Sequence, residues 1–135
     1  MKTSHITRLT VLASLAVLFM FATTSCSKRK IEKSVEGAWN LEGISGQNMP
    51  EGYTMTGTFI FGESKGNKPG DMSYDITFSY QGASDNTQFS GPYEVLAKGE
   101  RMNLLDAEWD ISIVGNTMTL TLDDPTNRFS YNFTR

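Results

Sequence analysis

An all-β domain, built as an eight-stranded antiparallel up-and-down barrel, is the fold class this sequence predicts. Three observations predict it. From Ser34 onward the dominant hydrophobic period is two. Turn residues interrupt the chain at short intervals, and no segment of that stretch carries a helical stripe. Eight sequential strands with short connections favour a closed barrel, which leaves no exposed edge, over the runner-up, a β-sandwich.

The first element precedes this domain. Lys2, His5 and Arg8 are followed by mostly apolar residues from Leu9 to Ala22, then by Thr23, Thr24 and Ser25 directly before Cys26, the chain's one cysteine. Basic, apolar and small-residue regions in that order mark residues 1–25 as a helical signal peptide. Its apolar run reaches about 21 Å as a helix, short of a hydrocarbon core of about 30 Å, so an uncleaved membrane span is the weaker reading. A single thiol cannot form an intramolecular disulfide. With Cys26 directly after the small residues, the segment resembles a bacterial lipoprotein signal of the Bacteroidota type. That resemblance implies that Cys26 carries fatty acyl groups such as palmitate and begins the mature chain.

Residues 26–33 then read as the lipidated cysteine and a short basic linker containing Lys28, Arg29, Lys30 and Lys33. Beside an anionic leaflet each such cation contributes about 1 kcal/mol; a plainly solvated linker is the alternative. Residues 34–135 form the barrel domain. Of 135 residues, loss of the first 25 leaves 110, the size of one domain. Lys2 and Arg8 leave with the signal, so 10 cations face 15 acids and the formal charge moves from −3 to −5. A net-acidic domain is a poor nucleic-acid binder.

His5 is the only histidine and also leaves with the signal. The mature chain therefore lacks Ser-His-Asp and Cys-His nucleophilic arrangements, typical zinc sites and histidine-ligated haem. No metal and no cofactor is expected, and the protein reads as non-enzymatic. Two groups of carboxylates are the remaining candidates for chemistry. Asp106, Glu108 and Asp110 alternate with Ala107 and Trp109, which places them on the water side of a strand. Asp123-Asp124 is a weak calcium candidate without the EF-hand pattern.

The strands follow in order. The first is expected near residues 36–44, the second at 55–62 and the third at 71–81, where "MSYDITFSY" sets Met72, Tyr74, Ile76, Phe78 and Tyr80 on one face. The fourth is expected at 87–97, with Gly91-Pro92 marking a bulge or bend. The fifth, at 101–106, follows "LAKGER", which reads as a tight hairpin. The sixth, at 108–114, turns Trp109, Ile111 and Ile113 inward, and Gly115-Asn116 connects it tightly to the seventh at 117–123. The eighth, at 128–135, alternates Phe129, Tyr131 and Phe133 with polar residues. "ESKGNKPG", "QGASDN" and "DDPTN" read as longer connections.

Gly37 and Trp39 form a G-x-W at the opening of the first strand. So placed, the motif resembles that of the lipocalins, and residues 34–135 look like the short lipocalin-like domains of Bacteroidota lipoproteins. That resemblance implies an arginine near the chain end packed across Trp39. In an eight-stranded meander the end of the last strand lies beside the start of the first, which selects Arg135 and leaves Arg128 at the opposite end. Gly37, Trp39 and Arg135 would then close the barrel floor.

The leading functional expectation is a membrane-anchored, non-enzymatic binding module for a small apolar or amphipathic ligand, with Tyr74, Phe78, Tyr80, Tyr93, Trp109 and Tyr131 as candidate lining residues. The alternative is a barrel filled by these side chains that acts through its rim as an inhibitor or accessory subunit of another envelope protein. The expected location is the cell envelope, lipid-anchored in the outer membrane and facing the periplasm. Expected partners are the membrane, a small hydrophobic ligand or an envelope protein, and no nucleic acid. Glu51, Asp85, Asp106, Asp123 and Asp124 gather at the mouth, which favours a neutral or cationic ligand.

Overall fold

Period-two patterning between turn residues produces eight strands, and a short helix precedes them. The computed structural model describes residues 27–46, 50–65, 68–124, 126 and 128–135. In chain order they form helix α1 (27–35), then β1 (Gly37–Gly46), β2 (Thr54–Phe61), β3 (Gly70–Tyr80) and β4 (Ala83–Val95). A single 3-10 turn at Ala97–Gly99 leads to β5 (Arg101–Leu104), β6 (Ala107–Val114), β7 (Thr117–Asp123) and β8 (Arg128–Thr134). Each strand pairs antiparallel with the next, and β8 pairs back onto β1 to close an up-and-down barrel.

Helix α1 corrects the expectation of a basic linker and of no helix after the signal. Residues 27–33 belong to it, and its inner side is seated on the barrel: Val35 is fully buried, Glu32 is buried, and Ile31 packs against Gly99. Lys28 neutralises Glu32 across one turn at 3.8 Å and lies 4.0 Å from Glu94. The helix ends at Glu36, and Gly37, at φ +112°, swings the chain into β1, a conformation that side chains with a Cβ rarely adopt. Among the described residues no helix is long and apolar enough to cross a membrane.

The expected longer connection "QGASDN" is instead a two-residue turn. Gln81 and Gly82 both have positive φ, Tyr80 pairs with Ala83, and β4 starts four residues before the expected position. The fifth and sixth strands are joined by Leu105-Asp106, both left-handed, where the sequence reading had carried the fifth strand to 106. "LAKGER" holds the 3-10 turn rather than a tight hairpin. The ladder runs unbroken through Gly91 and Pro92, and the irregularity falls on β1 between Leu41 and Gly43, opposite β8. At Gly57, φ +153°, β2 and β3 approach so closely that a Cβ would strike the Asp75 carbonyl oxygen.

Unequal strand lengths leave the wall uneven. β3 pairs with β4 from Ala83 to Tyr93, whereas β5 pairs only with Tyr93, Glu94 and Val95. Residues Ala83 to Pro92 therefore have β3 on one side and no described strand on the other, so an edge survives in this closed barrel. Leu96 N–H donates to Arg101 on the β5 side at 2.8 Å. By alternation, the backbone groups of Ser84, Asn86, Gln88, Ser90 and Pro92 also face that side. The edge is blunted: Pro92 has no N–H, and the Asp85 carboxylate accepts from Asn86 N–H at 2.9 Å.

Candidate functional site

The meander places α1, the β2–β3, β4–β5 and β6–β7 connections and the chain end at one end of the barrel, here the floor. The other four connections form the mouth. At the floor, Trp39 is fully buried and its Nε1 donates to the Val35 carbonyl at 2.7 Å. The Arg135 guanidinium carbon lies 4.4 Å from the centre of the Trp39 ring, and Nη1 donates to the carbonyls of Ser34 at 3.2 Å and Glu36 at 3.4 Å. One cation thus covers the indole and satisfies carbonyls where α1 ends, a position that favours positive charge. Gly37, Trp39 and Arg135 are brought together here, while Arg128 opens β8 at the mouth, opposite Asp123 in the ladder.

Above this floor the interior is filled. Phe59, Phe61, Met72, Tyr93, Val95, Met102, Leu104, Met118, Leu120 and Phe133 are almost wholly buried. Two candidate lining residues belong to this packing. The Tyr93 hydroxyl donates to the Gly62 carbonyl at 2.5 Å. Burial, and then the nearby Glu36 and Glu32 carboxylates, push its phenol up from 10.0 to about 12. Trp109 is buried, donates through Nε1 to the Leu104 carbonyl at 2.9 Å, and is covered by Phe129 and Tyr131 at ring separations of 5.2 and 5.1 Å.

The other four candidates, Tyr74, Phe78, Tyr80 and Tyr131, lie in the upper half and retain exposure. Tyr74 is sandwiched between Phe59 at 5.1 Å and Phe89 at 5.5 Å, and Phe89 is 44% exposed. Tyr53, entering β2, meets Phe78 at 6.3 Å and Tyr80 at 6.4 Å. Tyr80 is 38% exposed, and its hydroxyl accepts from Gln81 Nε2 at 3.0 Å. Burial raises the Tyr131 phenol, and the phenols of Tyr74 and Tyr53 add to the effect. Half-buried rings with a few converging polar atoms are the usual makeup of a small-molecule site.

Sequence reasoning missed Tyr53 and Phe89. Phe89 keeps step with Thr87, Gly91 and Tyr93, so the signal existed within β4. Tyr53 lies just ahead of β2, where alternation gives no signal. Cys26 and the Asp123 side chain lie outside the described residues. Asp124 Oδ1 accepts from Thr126 N–H at 2.8 Å, and among the described residues no group of three or more metal-ligating side chains converges. Glu108 and Asp110 are exposed and both bind Arg101, at 2.5 and 3.1 Å, so these carboxylates form a surface ion cluster. The acidic mouth also holds a cation, Arg128, which begins β8 on the outward-facing step of that strand.

Two shallow grooves lie on the outer wall. One, of about 520 Å³, runs over β2, β3 and β4 beside the exposed Ile60; the other, of about 450 Å³, lies over Pro92, Asn103 and Glu108. The first is lined mainly by outward-facing polar residues but also by Tyr74 and Phe89, and the second includes Tyr93. No family model matches the chain, and no curated protein and no solved structure matches it.

Proposed function

We propose that this protein is a non-enzymatic binding module of the bacterial cell envelope, anchored through an acylated Cys26, that receives the apolar part of a small amphipathic ligand in the upper half of its barrel. One observation carries the binding reading. The inward-facing residues divide into a filled floor and a set of rings nearer the mouth, Tyr53, Tyr74, Phe78, Tyr80, Phe89 and Tyr131, each of which keeps part of its surface exposed. The resemblance to lipocalins in Gly37-x-Trp39 supports the reading by analogy. The anchor reading is supported by the sequence around Cys26 and by α1, which starts at the next residue and is seated on the floor. An anchor there turns the mouth away from the membrane, toward the periplasm for an outer-membrane protein.

Native mass spectrometry of the protein released from its own host should show a co-purifying small molecule that is lost when Phe89 and Tyr74 are both replaced by Ser. A protein with no small molecule bound, or one retained by that variant, contradicts the binding reading. Cys26→Ala should abolish palmitate labelling and release the protein from membranes; a variant that stays membrane-bound contradicts the anchor.

A second reading is favoured by the open side of β4, where every residue from Ala83 to Ser90 is exposed. There the rim would engage an extended segment of another envelope protein. Blunting by Pro92 and Asp85 weighs against it.

A further inference from the structure

The upper half has a charge pattern as well as an aromatic one. Directly opposed residues of an antiparallel pair share a face. Phe78 opposes Asp85 and Tyr80 opposes Ala83, so Asp85 stands on the inner face of the β3–β4 hairpin beside the Phe78 ring. Its Oδ1 accepts the Asn86 N–H, which orients the carboxylate, and among the described residues no cation pairs with it. Tyr53 faces Phe78 and Tyr80 at tilts of 46° and 48°. Rings tilted in this way, with centres more than 6 Å apart, do not cover one another's faces. All three residues keep part of their surface exposed, which leaves room for a group between them.

We propose that Tyr53, Phe78 and Tyr80 form an aromatic cage at the rim for an organic ammonium group, with Asp85 as its counter-ion. This rests on the binding reading above and deepens it: the ligand is an amphiphile whose cationic head sits in the cage and whose tail lies along Tyr74, Phe89 and Tyr131. Ring faces carry negative quadrupole potential, and a carboxylate beside them adds to the attraction for a weakly hydrated cation. An anionic head group meets repulsion from both. The competing cation at this end, Arg128, is on the outward step of β8, one residue from the inward Phe129, and opposes Asp123.

The test uses the chain from residue 26 with Cys26→Ser, which retains every described residue. Decyltrimethylammonium, decyl sulfate and decyl maltoside are titrated below their micellar concentrations at low salt, with intrinsic fluorescence and calorimetry as readouts. The ammonium compound should bind about tenfold tighter than the sulfate, the gap shrinking as salt screens it. Asp85→Asn should weaken the ammonium compound about fivefold and leave the maltoside unchanged. Tyr80→Leu, which keeps apolar area and removes a ring face, should weaken the ammonium compound about threefold. Tetramethylammonium alone should bind far more weakly, and equal binding would overturn the tail placement. Maltoside binding with no ammonium preference, or with a preference that Asp85→Asn leaves intact, overturns the cage and spares the binding reading. Failure of all three decyl compounds to bind overturns both.

Discussion

The same strands supply both halves of the barrel interior, yet equivalent inward residues have different fates. On β3, Met72 is 1% exposed and Tyr80 38%; on β4, Tyr93 is 1% exposed and Phe89 44%. On β8, Phe133 is fully buried while Phe129 keeps partial exposure. Residue type does not explain this, since aromatic rings occur at both levels. What differs is the cover. At the floor, α1, Arg135 and the short β5–β6 pair complete the packing, so each ring meets a neighbour on every side. Toward the mouth, β2 still accompanies β3 up to Ser79, but β5 has ended and β4 runs on with β3 on one side only, so the inner face loses its cover on that side. An aromatic residue costs little to hold at a wet surface if it is supported by neighbouring rings.

The largest expected contrast is in stability. Trp39→Ala removes a fully buried indole and should cost about 3 to 5 kcal/mol in urea unfolding, whereas Phe89→Ala at a ring already half exposed should cost less than about 1 kcal/mol. Equal losses would erase the distinction between the halves.

The next contrast is alkaline. Unfolded Tyr93 ionises near 10.0, while the folded phenol holds its proton to about 12. Between those values the unfolded chain binds fewer protons, so stability is complete below the lower value and falls as pH rises through the interval. Tyr93→Phe should flatten that fall, apart from a constant offset for the lost hydrogen bond to Gly62. An unchanged slope would mean that the phenol is not enclosed in the floor.

A smaller effect separates the two ends by charge. Arg135→Ala should lower stability by about 1 kcal/mol, from the contact over Trp39 and the bonds where α1 ends, and Arg128→Ala by less than half as much. Equal effects would argue against Arg135 as the floor's closing residue.

Strand number, order and inward faces were legible because period-two alternation tracks a sheet with one face buried. Where that condition fails, so did the reading. Ala83 to Asn86 are exposed on both faces and show no alternation of apolar and polar residues, so they read as part of a connection. Leu105-Asp106 turns in the left-handed region without glycine or asparagine, and Asp106, a turn former, follows an apolar leucine that also fits a strand, so the turn signal is weak. Helix α1 gives no apolar stripe in the sequence because its buried side includes Glu32, a carboxylate that lies 3.8 Å from Lys28. For the site, Tyr74, Phe78, Tyr80 and Tyr131 could be read from alternation. Their division from Tyr93 and Trp109 could not, since it depends on which strands end early.

The central claim is that the floor is sealed and the upper half is receptive. Residue-resolved NMR of the isotopically labelled Cys26→Ser chain during a decyl maltoside titration tests it most directly. The account predicts saturable shifts at Tyr53, Tyr74, Phe78, Phe89 and Tyr131, with the signals of Trp39, Phe61 and Phe133 unmoved. Shifts that begin at Trp39 and Phe61, or that spread evenly through both halves, would contradict it.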